Sequence, residues 1–399
     1  MKLLTSTSAL FWGLQFALLT PALALVLVSV YGATGTQVGV VLAVYNASGF
    51  LAAVLVPAWA DRRGDYLRPM LGCALLGLAL AAVLASTSSL TVAVAALAAL
   101  GGPASAGSSL LFAHLKHSGA RPREVVNSRA VFSVAWVAGP PVAALVMGTF
   151  GDAAVLFAVV AVAVLVVTNT VVMVARRPAP PGPSTPGTVT GESGAGWPRS
   201  SVVVVIVAFV ALQMANTAAV AVMGLFVTDR LGLPIIWAGI ALGVAAALEI
   251  PALLLIGRLT SRVSSLTLIV TGCAAGIAYG LGMTVVGGPV GLLALQVLNA
   301  WFVAVVAGAG LTLFQCMIPR PGLASGTYSN TFRFGAVLSG PLLGWASSSA
   351  IGYSGVFAGC AAVTVPALVA VLVVGRRQRT VPGTPTAIRL AGTTRTPAP

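Results

Sequence analysis

In "VAAALEIPALLLIG", residues 244–257, a single carboxylate stands in an otherwise uncharged run: Glu249, two residues before Pro251. Arg333 and Arg129 are set in comparable runs, "NTFRFGAV" and "NSRAVFSVA". An ionisable side chain inside an apolar helix costs about 2.5–3.5 kcal/mol on the insertion scale, so each of the three is a functional candidate. Desolvation favours the neutral carboxyl and a nearby guanidinium favours the carboxylate. An acid held between those effects can load and release a proton as its access to water alternates. The other chemistry open to it is a static ion pair. Arg129 lies only a few residues into its run and can also reach water by snorkelling.

Around these charges the apolar runs carry amides and rings. Gln213 and Asn216 lie one turn apart, as do Gln296 and Asn299, so each pair shares a helix face. With Gln15, Trp301, Tyr328 and Asn330 they supply the paired donors, acceptors and flat surfaces that a small polar solute needs. Hydrogen bonding between helices, worth about 0.6 kcal/mol on average, would use the same residue types.

The elements that must position these residues follow from composition. Of 399 residues, 58% are hydrophobic and 7% charged, against about 25% charged in a soluble domain. Too few polar side chains remain to cover a soluble surface, so lipid is the solvent for most of the chain. Twelve runs are long enough to cross it: 8–30, 37–58, 70–86, 90–113, 126–148, 152–174, 201–226, 235–256, 264–286, 288–316, 324–347 and 353–374. The first follows Met1-Lys2, but it is too long for a signal-peptide core and another run follows at once.

The net charge of +14 sorts by loop. Arg62, Arg63, Arg68, Lys116, Arg121, Arg123, Arg176, Arg177, Arg199, Arg258, Arg262 and Arg320 all fall on one side, and the opposite loops hold only Arg230. This positive-inside pattern places both termini in the cytosol and excludes a nucleic-acid-binding face. On that topology Glu249 and Arg333 both lie roughly 10–14 Å below the cytosolic surface, at 1.5 Å per residue, so the two are expected to meet.

Residues 176–200, rich in Pro, Gly, Ser and Thr, read as a flexible cytosolic linker between bundles at 1–175 and 201–375, and 376–399 as a disordered tail. The bundles repeat each other about 200 residues apart. "GCALLG" at 72–77 faces "GCAAG" at 272–276, Asp61-Arg62 faces Ser261-Arg262, and "AWVAGPP" at 135–141 faces "AVLSGPL" at 336–342. The expected fold is therefore an all-α membrane protein of twelve transmembrane helices in two parallel six-helix repeats. That organisation resembles the major facilitator superfamily.

Short motifs sharpen the likeness. "PAWADRRGDYLRP" is similar to that superfamily's loop signature: Asp61, Arg62 and Gly64 fit, Pro57 replaces the first glycine and Tyr66 the last basic residue. Gly64 permits a tight turn; Asp61 suits the positive end of a helix, and Arg62 can pair with it. The resemblance implies a conformational latch between the halves. "AWVAGPPVAA" resembles the antiporter signature, with Ala135, Gly139, Pro140 and Pro141 as close-packing and kinking positions. "FSVAWVAGPP", "GVAAALEIP", "QVLNAWF" and "FQCMIPRPGLASGTYSNTFRFGAVLSG" are similar to the sugar efflux transporter family within the superfamily. That implies proton-driven export of sugars or glycoside-like solutes. The alternative on the same fold is efflux of drugs or a secondary metabolite. An arginine that many antiporters carry in the fourth span is absent from "LAALGGPASAG".

No phosphate-binding loop, nucleophile–base set or metal-ligand cluster stands out, so neither an enzyme nor a cofactor is expected. Cys73, Cys273, Cys316 and Cys360 lie singly in apolar stretches. The expected partners are a small-molecule substrate, protons and the lipid bilayer. A monomer in a bacterial cytoplasmic membrane is expected.

Overall fold

The computed structural model describes residues 2–176, 197–234, 236–347 and 352–380. Among these residues all regular structure is helical. The first half comprises α1 (Lys2–Ser29), α2 (Gly35–Arg63), α3 (Leu67–Ser86), α4 (Leu90–His117), α5 (Pro122–Phe150) and α6 (Ala154–Ala175). The second comprises α7 (Arg199–Arg230), α8 (Ile236–Leu259), α9 (Ser265–Val285), α10 (Pro289–Met317), α11 (Pro321–Ser347) and α12 (Ser354–Thr380). Each expected run becomes one helix. Several overrun their apolar window at the arginine-rich end, where polar residues meet head groups instead of hydrocarbon. α12 continues to Thr380, beyond the expected bundle limit at 375. Residues 177–196 of the expected linker and 381–399 of the expected tail lie outside the described residues.

Eleven of these helices are long and apolar enough to cross a membrane. α11 falls short because it carries Ser325, Thr327, Ser329, Asn330, Thr331 and Arg333. Ser329, Asn330 and Arg333 of this polar set bond to the other half.

Local sequence sets the ends. Thr34 caps α2, its Oγ1 accepting from the Gln37 N–H while Gln37 Oε1 accepts from the Thr34 N–H at 2.9 Å. Gly64 stops α2 in the left-handed region at φ 62°, which costs glycine nothing. α4 contains a π turn at Leu97–Gly101. Small residues set the packing of α1 on α5. A side chain at Gly13 would meet Ala135 Cβ at 2.8 Å, and one at Gly139 would collide with Ala17. Pro140 and Pro141 follow within the same helix.

Three buried clusters reveal the conformation. One, around Ala60, Leu67, Phe112, Val126, Ile256, Phe314 and Ala324, draws on both halves at the arginine-rich end. A second, around Leu23, Leu84 and Leu156, belongs to the first half alone. A third, around Met223, Phe226 and Phe357, belongs to the second half alone. The halves are thus welded together at the arginine-rich end and packed separately at the other. A groove of about 570 Å³ between α7, α11 and α12 is lined by apolar residues including Val207, Trp345 and Pro366. Val207 and Trp345 are exposed there, as lipid-facing side chains are, and the groove holds none of the charged candidates.

Candidate functional site

Glu249 is carried by α8 to the seam with α5. Ser133 Oγ donates to its Oε1 at 2.8 Å. Arg129, one turn before Ser133, is the cation whose charge acts on Glu249. The two form no direct ion pair among the described residues. The Arg129 guanidinium instead lies over the Phe132 ring, 4.7 Å from its centroid, and its buried Nε has no hydrogen-bond partner among the described residues. Tyr328 of α11 stands within the field of both charges, its hydroxyl donating to the Val306 and Ala307 carbonyls of α10 at 3.2 and 3.3 Å. The acid is therefore held by a hydroxyl and a loosely placed cation rather than locked in a bidentate bridge. A carboxyl held in this way can change protonation without dismantling a salt bridge.

The expected meeting of Glu249 with Arg333 does not occur. Arg333 crosses to the opposite seam, where its Nη2 donates to Ser105 Oγ of α4 at 2.7 Å and its guanidinium packs on Gly49 of α2. Distance from a span end does not record the side of the helix on which a residue emerges.

The arginine-rich end is closed by Asp61. Its Oδ1 accepts from the Gly322 N–H at 2.7 Å and its Oδ2 from the Leu323 N–H at 2.8 Å. These are free donors of the first turn of α11, where the helix dipole favours an anion. Tyr66 donates to the same Oδ1 at 2.6 Å. Burial, reinforced by the hydrogen bond to Asp61 and its charge, pushes the Tyr66 phenol above its ordinary range, so it remains a donor. Arg62 is exposed and forms no pair with Asp61. Further bonds join the halves at this end: Ser109 to Ser329 at 2.9 Å, and Gln315 Nε2 to the Phe112 carbonyl at 3.1 Å.

Three residues of this closure are not singled out by the motifs as part of it. Tyr66 counted only as a departure from the loop signature. Gly322 and Gly326 bring α11 onto the α2 backbone: a side chain at Gly322 would meet the Pro57 carbonyl oxygen at 2.5 Å, and one at Gly326 would collide with that of Ala53. The signal was present as two glycines four apart, a close-packing pattern in membrane helices. Gly326→Val is expected to cut transport at least about tenfold, in line with the cost of overpacking a tight contact. Exchange of labelled substrate in proteoliposomes, with thermal unfolding as the folding control, measures this.

The expected solute contacts separate. Asn330 Nδ2 donates across the halves to the Phe50 carbonyl at 3.1 Å, and its buried Oδ1 has no partner among the described residues. Gln213 sits where α7 crosses α11, against Gly335, and Asn216 is partly exposed one turn on. Gln296 is fully buried and bonds to the Leu292 carbonyl and to Asn299 within α10. Trp301 donates to Thr271 of α9 at 3.2 Å, and Gln15 points at Gly77 of α3. Gln15, Gln296, Asn299 and Trp301 therefore make contacts inside their own halves. No group of three or more metal-ligating side chains occurs among the described residues.

A sequence profile of the Major Facilitator Superfamily matches residues 5–315. The putative sugar efflux transporter of Deinococcus radiodurans is 33% identical over 380 residues, covering 90% of this chain and 94% of that protein. The chain belongs to the sugar efflux transporter family of this superfamily. Sugar efflux transporter A of Escherichia coli (strain K12) is 29% identical over 367 residues, 90% of this chain and 92% of the relative. Among solved structures, a bacterial homologue of the iron transporter ferroportin, in an outward-facing state, superposes with a TM-score of 0.73 at 15% identity, covering 94% of this chain and 99% of that one. The transporter FucP in the outward conformation does so with 0.71 at 14%, covering 94% and 98%. At that identity the likeness establishes the fold. A multi-pass membrane transporter of small molecules, rather than an enzyme, is what this membership makes the chain.

Proposed function

We propose that the chain exports sugars or glycoside-like solutes across a bacterial cytoplasmic membrane in exchange for protons, by alternating access. Both termini face the cytosol and the working unit is a monomer. The observation that carries the reading is Glu249 in the seam between the halves, in a chain whose full-length relatives are sugar efflux transporters. The positive-inside pattern makes the arginine-rich end cytosolic. The arrangement with that end closed is then the outward-facing state. In it Glu249 exchanges protons with the outside. When the Asp61 closure opens, the same acid meets the cytosol, releases its proton and leaves the site open to solute. The solute sits in the cleft above the closure, between the seams that hold Glu249 and Arg333, with Gln213, Asn216 and Asn330 as amide contacts.

Exchange in proteoliposomes tests the substrate class without requiring coupling. Vesicles preloaded with unlabelled glycoside should accumulate labelled glycoside, and hydrophobic drugs should not compete. Competition by drugs alone would replace the sugar reading with drug or secondary-metabolite efflux on the same fold.

A further inference from the structure

The two seams between the halves are built as counterparts, and their charges do not match. The repeat register that pairs Asp61 with Ser261 and Arg62 with Arg262 also pairs Gly49 with Glu249. The register that pairs Gly139-Pro140 with Gly340-Pro341 pairs Phe132 with Arg333. Where one seam has an acid on α8 and a phenylalanine on α5, the other has a glycine on α2 and an arginine on α11. The Arg333 guanidinium fills the space that a side chain at Gly49 would occupy, with its Cζ 2.7 Å from the ideal Cβ position. A cation thus stands at the counterpart of the Glu249 carboxylate.

Among the described residues that cation has no anion. The chain holds seven acidic residues, and Glu249 is the one set deep within a span. It is committed to the other seam, beside Arg129 and Ser133. Arg333 donates to one neutral oxygen, Ser105 Oγ, whose own hydroxyl donates to the Gly102 carbonyl at 2.6 Å. Tyr45 stands within electrostatic range of Arg333, and its hydroxyl has no hydrogen-bond partner among the described residues. The surrounding backbone is shaped to seat these groups. The π turn of α4 ends at Gly101, where a side chain would meet the Tyr45 ring at 2.8 Å. Single π turns inside α-helices are frequent at functional sites. Arg333 is partly exposed and retains most of its five donors. A guanidinium within a span pairs with a counter-charge or with carbonyls, or faces water. Its planar fork matches a carboxylate or phosphate through two parallel bonds.

We infer that Arg333, Tyr45 and Ser105 form an oxyanion seat that receives an acidic group borne by the exported solute, a carboxylate or phosphate on a sugar or glycoside. Arg333 supplies the bidentate donors, Tyr45 a third donor, and Ser105 holds the guanidinium in place from behind. This inference rests on the sugar-export reading and narrows it from glycosides in general to acidic ones.

The experiment compares a methyl glucoside with the matching methyl glucuronide for binding to the purified full chain, in wild type, Arg333→Gln and Arg333→Lys. The ratio of the two affinities is the readout, so poor folding of a variant and loss of selectivity are separable. The wild type is expected to prefer the glucuronide by roughly tenfold or more, as a charge-assisted pair gives. Arg333→Gln is expected to bring the ratio close to one, and Arg333→Lys, which keeps the charge but not the fork, to leave it between the two. Equal binding of both sugars, or preference for the neutral one, would overturn the seat while leaving sugar export standing. If neither sugar binds but benzoate raises the unfolding temperature of wild type and not of Arg333→Gln, the seat stands and the sugar reading fails. If inorganic phosphate stabilises the wild type as well as the glucuronide does, the site takes free anions and the solute-borne group is refuted.

Discussion

Glu249→Gln is expected to lower gradient-driven export by about 100-fold or more, which is the scale on which removal of a positioned proton-transfer group acts. Glutamine keeps the size of the side chain and can still meet the Ser133 hydroxyl, which bonds Glu249 at 2.8 Å. It cannot take up or release a proton. The helices of both seams therefore stay packed, and exchange of labelled for unlabelled glycoside, which moves no net protons, should remain within a few-fold of wild type. A variant that loses exchange and gradient-driven export equally would show that Glu249 holds the seam together and carries no proton. Ser133→Ala removes one charge-assisted hydrogen bond, worth about 1.5–3 kcal/mol. It should shift the pH dependence of export and reduce its rate less than the glutamine variant does.

The second large effect belongs to the closure. Asp61 accepts two backbone N–H bonds from the first turn of α11 and a third from Tyr66. Asp61→Ala leaves those donors without their anion in the closed state, whereas in the open state water can reach them. Loss of even two charge-assisted bonds, about 3 kcal/mol together at the low end, moves the balance between the two states by roughly 100-fold. The variant should rest with its arginine-rich end open. Thiol labelling of a cysteine placed at Ala53, beneath the Gly326 contact, would then rise from slow to fast, and export should fall at least about tenfold. Tyr66→Phe should do the same more weakly, since it removes one donor and keeps the anion. Unchanged labelling in Asp61→Ala would mean that the apolar cluster around Phe314 and Val126 closes this end by itself.

Span number, repeat and motif were readable from the sequence because lipid imposes a length on every apolar run and leaves arginines to mark one side. The azimuth of a side chain around its helix was not. Glu249 and Arg333 lie at similar distances along the chain from their span ends, yet α8 turns its acid toward α5 while α11 turns its arginine toward α2 and α4. A linear chain records depth through distance from a span end, but it records facing only through neighbours on other helices. The partners of the amides were hidden for a related reason. Gln296 and Asn299 share a face as expected, and that proximity lets them satisfy each other inside the second half. Tyr66 was hidden by a motif that asks for a basic residue. A phenol performs a different task at the same place, donating to Asp61 where a cation would attract it.

The measurement that bears most directly on the central claim uses inverted membrane vesicles, in which export becomes uptake into the lumen. Labelled glycoside uptake by the wild type is followed with the lumen acidified and with the gradient collapsed by an ionophore. Proton-coupled export through Glu249 predicts accumulation above the external concentration only while the lumen is acidic, and none in Glu249→Gln. Accumulation that survives collapse of the gradient, or that persists in Glu249→Gln, would contradict it.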